Sequence, residues 1–157
     1  MLRRGFWLYV WRVETTKGEM LYVGRTGDNS SPHATAPFTR MGQHLGYAPN
    51  QNALRRHLKA EGIEAEECGT FHLISHGPLF EEVRRKDGDD RAALMELHIP
   101  VRNIVGAFEK VLAEELKSAG YRVLNTVKWK HPHDIEGWNA VREAFSLHFP
   151  RLTSSCG

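Results

Sequence analysis

The N-terminal part of the chain alternates apolar runs with short polar breaks. Residues 6–13 read Phe-Trp-Leu-Tyr-Val-Trp-Arg-Val, and residues 20–24 read Met-Leu-Tyr-Val-Gly. A polar stretch containing Gly18 separates them. Aromatic and β-branched runs joined by a glycine-bearing loop predict a β-hairpin. Tyr9 and Tyr22 then stand on neighbouring antiparallel strands, and a register that puts them on one face lets their hydroxyls converge. Residues 25–37 are dominated by Gly, Asp, Asn, Ser and Pro and predict a long loop. A loop of that length in a compact domain is often functional.

Helical patterns follow. One helix carries Arg40, Met41, Gln43, His44 and Leu45, with Thr35 or Thr39 as its cap and Pro37 in its first turn. Gly42 and Gly46 weaken it. Residues 51–61 predict a second helix, with Leu54 and Leu58 on one face, Arg55, Arg56 and Lys59 outside, and Gly62 as the stop. Residues 69–75 predict a third strand, ended by Gly77-Pro78. The charged segment 81–90 predicts an exposed loop. Asp90 then caps a helix over 91–98, and Pro100 breaks or restarts the pattern. Over 101–119 the residues Val101, Ile104, Val105, Phe108, Leu112 and Leu116 form one helical stripe, closed by Gly120. Residues 121–125 leave in extended form. Asp134 caps a last helix over 135–148, whose apolar side is Trp138, Val141, Ala144, Phe145 and Phe149, and Pro150 ends it.

Composition narrows the class. A chain of 157 residues fits one domain, and a hydrophobic fraction of 41% supports a core without disulfides. No apolar run approaches the roughly 18 residues of a membrane span. The start has basic residues but no apolar signal region, so no signal peptide is read and a cytoplasmic location is expected. Cys68 and Cys156 have no metal spacing and read as free thiols of a reducing compartment. A net charge of +2 permits a nucleic-acid partner without arguing for one. The expected fold is α/β (α+β): one domain over 1–157, with a small, three-stranded, mostly antiparallel sheet flanked by helices. Its core spans about 6–125, and the extension 126–157 adds a helix that covers one edge.

Tyr9 in Trp7-Leu8-Tyr9, the triplet Tyr22-Val23-Gly24, Arg40 and His44 four apart, Glu109 early in an amphipathic helix, and Asn125 closing residues 120–125 form an ordered set. Arg40 and His44 share one helix face. The set resembles the GIY-YIG nuclease family over about Trp7 to Asn125, and five matches in order are more specific than either triplet alone. Two departures stand out. Tryptophan replaces the first triplet's glycine, so the packing there must differ. The stretches from Gly24 to Arg40 and from His44 to Glu109 look longer than in compact members, as insertions that shape substrate choice.

The resemblance implies a metal-dependent endonuclease hydrolysing DNA phosphodiesters, with RNA a further possible substrate. It implies one divalent cation, Mg²⁺ or Mn²⁺, held by Glu109 and completed by waters and phosphate oxygens. Arg40 offers a planar fork of donors to a phosphate. Tyr9 looks like the family's general base; a phenol titrates near 10, so nearby positive charge has to bring it down. His44 can take or relay that proton, Tyr22 orients water or phosphate, and Gly24 and Asn125 support the site. Taken singly, each residue has a plainer reading: strand aromatics, a solvated arginine, a structural histidine, an exposed helix glutamate and a turn asparagine.

Other features are less specific. Lys128-Trp129-Lys130 can stack on a base while binding phosphate, or the Trp can pack on the core edge. Arg25, the pair Arg55-Arg56 and the run Arg84-Arg85-Lys86 can track a nucleic-acid backbone or form a solvated face. His72 and His76 alternate onto one strand face without a spaced carboxylate partner and read as structural. Two further functional classes remain beside the nuclease: a nucleic-acid-binding module of the same fold with weak or no cleavage, and a domain that mediates protein contacts. Cutting both strands with one small site requires a second copy or a second visit, which a transient dimer would supply.

Overall fold

A computed structural model describes residues 1–28 and 31–155. Asn29 and Ser30 of the long loop, and Cys156, lie outside the described residues. The elements run β1 (Phe6–Thr15), β2 (Gly18–Arg25), α1 (Pro37–Leu45), α2 (Ala53–Ala60), β3 (Phe71–Phe80), α3 (Arg91–Ser118) and α4 (Ile135–Ser146), with short 3₁₀ turns at Ala65–Glu67 and Pro150–Ser155. The sheet is antiparallel in the order β2-β1-β3, so the fold is α+β. No helix among the described residues is long and apolar enough to cross a membrane.

The central strand explains its own composition. β1 is covered on both faces, which is why its apolar run is nearly continuous. Phe6, Leu8 and Val10 join Leu21 and Val23 in a core with Val105, Phe108, Leu112 and Leu116 of α3 and Trp138, Val141 and Phe145 of α4. Tyr9, Trp11, Val13 and Met20 face the other way, against Leu54 and Leu58 of α2. The free edge of β2 is covered by the chain leaving α3. Leu21 N–H donates to Arg122 O at 2.8 Å, and Leu124 N–H donates to Leu21 O at 2.7 Å. The last helix packs beside α3 and reaches β3, where the His76 ring meets Phe145 at 6.1 Å.

Several boundaries differ from the sequence expectation. Neither Thr35 nor Thr39 caps α1: Ala36 occupies the N-cap without a side-chain bond, and the fixed φ of Pro37 starts the helix instead. β3 runs through Gly77-Pro78 to Phe80, because an irregularity in its pairing between Phe6 and Leu8 of β1 absorbs the glycine and proline. Pro100 does not end a helix. It sits inside α3, which is buried at Leu94 and His98 before it and from Val105 after it. Packing on both sides outweighs a proline penalty of roughly 3 kcal/mol. Ile104 leaves the expected stripe and is exposed. Asp90 and Asp134 do cap α3 and α4, accepting from the Ala93 and Gly137 backbone N–H groups. Gly120, at φ +84°, follows the end of α3.

Candidate active site

The hairpin register aligns the two tyrosines. Tyr9 pairs with Gly24 and Trp11 pairs with Tyr22, so Tyr9 and Tyr22 are diagonal neighbours on one face. The Tyr9 ring lies across Gly24. A Cβ at position 24 would fall 2.5 Å from Tyr9 Cε2 and 2.6 Å from Tyr9 Oη, so glycine is required by close approach. Asn125 fixes β2 from its open edge. Its Oδ1 accepts from Val23 N–H at 3.0 Å and its Nδ2 donates to Val23 O at 2.8 Å.

The first helix brings up the next two residues. His44 Nε2 lies 3.2 Å from Tyr9 Oη, and the His44 ring stands edge-on to Tyr22 with centroids 5.2 Å apart. One turn earlier, Arg40 Nη2 donates to Asp28 Oδ2 at 2.7 Å and Nη1 to Gln43 Oε1 at 3.2 Å. Glu109 arrives from α3, buried, with Arg25 donating to its Oε2. Arg25 Nε and Arg40 Nε are buried and have no partner among the described residues. These residues line one cleft of about 230 Å³, together with Asn50 and Gln51. Two cationic forks lining one cleft suit an oxyanion.

Burial dominates the titration of this cluster. It pushes the Tyr9 phenol well above its ordinary value, helped by Tyr22 and opposed by Arg40 and Arg25. Among the chain's own groups, desolvation of Tyr9 exceeds the pull of the two guanidinium groups. Tyr22 is raised to about 12 by burial and by Glu109. His44 is lowered to about 4 by burial, then by the charge of Arg40, and is neutral at pH 7. Burial pushes the Glu109 carboxyl up, against Arg25 and Arg40. In the tautomer protonated at Nδ1, His44 Nε2 can accept from Tyr9 Oη.

The departure in the first triplet has a local explanation. Trp7 is buried, and its indole N–H donates to Arg3 O at 3.0 Å. Its ring lies against Gly77 of β3, where a Cβ would come within 3.0 Å. Space lost at Trp7 is recovered at Gly77, and Tyr9 keeps its place.

Of the candidate nucleic-acid contacts, Arg55 is engaged internally. It pairs with Glu66 at 2.7 Å, donates to Leu45 O and stacks on Tyr47. Arg56, Lys128 and Lys130 are exposed. Trp129 packs on α3, with its indole N–H on Asn103 O at 3.0 Å. Asp28, Asn50 and Gln51 were not foreseen in the cleft. Asp28 had a signal, since it sits in the loop whose length marked it, whereas Asn50 and Gln51 had none. Among the described residues no three His, Cys, Asp or Glu side chains are grouped to hold a metal ion. A single carboxylate completed by water and phosphate oxygens does not need such a group, and Glu109 lines the cleft. The chain matches no protein-family model, no curated protein and no solved structure.

Proposed function

We propose that this chain is a metal-dependent endonuclease hydrolysing DNA phosphodiester bonds, of the GIY-YIG kind that its motifs resemble. One observation carries the reading: Tyr9, Tyr22, Arg40, His44 and Glu109, widely separated in sequence, line one small cleft. Arg40 and Arg25, whose side chains line the cleft, bind the phosphate. Tyr9 Oη takes a proton from the attacking water as its own proton passes to His44 Nε2. The negative charge of a bound phosphate raises His44 and favours that transfer. Tyr22, held edge-on to His44, orients the water or a phosphate oxygen. Glu109 would hold a divalent cation, Mg²⁺ or Mn²⁺, which would supply charge stabilisation to the reaction. Action on DNA in the cytoplasm, where Cys68 stays reduced, belongs to the same reading.

A second reading is a nucleic-acid-binding module with weak or no cleavage. The Arg25–Glu109 ion pair favours it, because the carboxylate that would hold the cation already has a cationic partner.

The deciding experiment is cleavage of labelled DNA and RNA with Mg²⁺, Mn²⁺ or EDTA, with the wild type beside Glu109→Ala and Tyr9→Phe. Metal-dependent cutting that falls at least about 100-fold in both variants supports the nuclease. Cutting that survives Glu109→Ala removes Glu109 from the cation's site. Salt-sensitive binding without cutting selects the second reading.

A further inference from the structure

A second cleft, about 580 Å³, is lined by Arg102, Lys128, Trp129, Lys130 and His131. It shares a wall with the first. Arg25 lines the small cleft and lies with its guanidinium carbon 4.4 Å from the centroid of the Trp129 ring. Arg102 lies over the same ring at 5.7 Å. The ring also leans on Gly106, where a Cβ would meet it at 2.4 Å. Two guanidinium groups and a helix backbone leave Trp129 little open face for a stacked base. Its work is to hold Arg25 and Arg102 in place by cation–π contact.

The charge lining this cleft is all of one sign. Arg3, Arg4, Arg12, Arg25, Arg40, Arg55, Arg122 and Arg142 each pair with a carboxylate. Arg102, Lys128 and Lys130 have no ion pair among the described residues, and no acidic residue lines the cleft. An open groove with three uncompensated cations fits a polyanion whose charges repeat along its length.

We propose that Arg102, Lys128 and Lys130 form a subsite for the phosphodiester backbone of a nucleic-acid strand that continues past the catalytic cleft along the Arg25–Trp129 wall. This rests on the nuclease reading for the identity of the polyanion, and it gives the C-terminal extension a substrate-binding role. The subsite reads phosphates, so it adds affinity without sequence preference.

The test is binding of labelled 20-bp DNA and RNA duplexes by fluorescence anisotropy, in EDTA, over a series of salt concentrations. Wild type is compared with Lys128→Gln/Lys130→Gln and with Arg3→Gln/Arg122→Gln, which removes the same charge from exposed positions outside both clefts; circular dichroism melting checks folding. For the lysine pair, the slope of log affinity on log salt is expected to fall by about 2, with affinity lower by about tenfold or more at 0.1 M salt. The arginine pair is expected to leave the slope near that of wild type. An effect on both duplexes supports a backbone subsite for either nucleic acid; an effect on DNA alone supports it for DNA. Equal slopes for the two variant pairs overturn the subsite and leave the nuclease reading standing. Wild-type protein without salt-dependent binding to either duplex overturns both.

Discussion

Arg25 neutralises Glu109 in a buried pair at the mouth of the small cleft, and each side chain is about one-tenth exposed. Removing one partner of such a pair leaves an unpaired buried charge, which costs roughly 3–5 kcal/mol. Arg25→Met is therefore expected to destabilise strongly at neutral pH. Arg25→Met/Glu109→Gln is expected to recover most of that loss. Urea unfolding of wild type, both single variants and the double variant measures the coupling, and additive losses would contradict it. If Glu109 also holds the cation, Mn²⁺ raises the melting temperature of Arg25→Met more than that of wild type, because the competing guanidinium is gone.

The Tyr9 ring and Gly24 define the second prediction. An alanine methyl at position 24 would overlap the ring, and overpacking of this kind costs about 1–3 kcal/mol. Gly24→Ala should lose that stability, together with the contact between Tyr9 Oη and His44. In a Tyr9→Ala background the ring is absent, so Gly24→Ala should cost far less. A cost that is the same in both backgrounds, read by denaturant midpoint, would show that the clash is not with Tyr9.

How much was legible in the sequence follows from which interactions are local. The hairpin, the Asp90 and Asp134 caps and the buried faces of α2 and α4 are written in neighbouring residues, and the structure has them. The convergence of Tyr9, Tyr22, Arg40, His44 and Glu109 was legible only through ordered motifs, because no periodicity brings α3 to the end of β2. Where the expectation failed, tertiary packing overrode a local breaker. Pro100 stays helical because α3 is buried on both sides of it. Gly77-Pro78 stays in β3 because Trp7 packs against that glycine. The raised Tyr9 phenol was illegible for a different reason. Its sign depends on desolvation against two arginine charges, and the sequence shows the charges but not the burial.

Asn125 acts on the site through β2. Its side chain satisfies both backbone groups of Val23, the residue that follows Tyr22 in β2. Asn125→Ala is expected to cost about 1–3 kcal/mol for each buried group left without a partner. The Val23 amide should exchange with deuterium faster in the variant, while amides in α2 keep their protection. Unchanged exchange at Val23 would mean that water replaces the asparagine at no cost.

His44 ties stability to pH, and the sign follows from its burial. In the unfolded chain it titrates near 6.5, whereas in the fold burial and the charge of Arg40 lower it to about 4. Between those values the unfolded state binds more protons than the folded state, so stability rises with pH across that window and falls as acid is added. The contribution of His44 is fully present above about 6.5 and is lost as the pH drops toward about 4. A shift from 6.5 to about 4 corresponds to about 3 kcal/mol at 1.36 kcal/mol per unit. His57 and His76, both lowered mainly by burial, tilt the curve the same way, so the total slope does not isolate His44. His44→Gln does isolate it. Urea unfolding from pH 4 to pH 8 should give the variant a shallower acid limb than wild type, with the difference confined to the region below about pH 6.5. Parallel curves would mean that His44 is not the buried neutral partner of Tyr9.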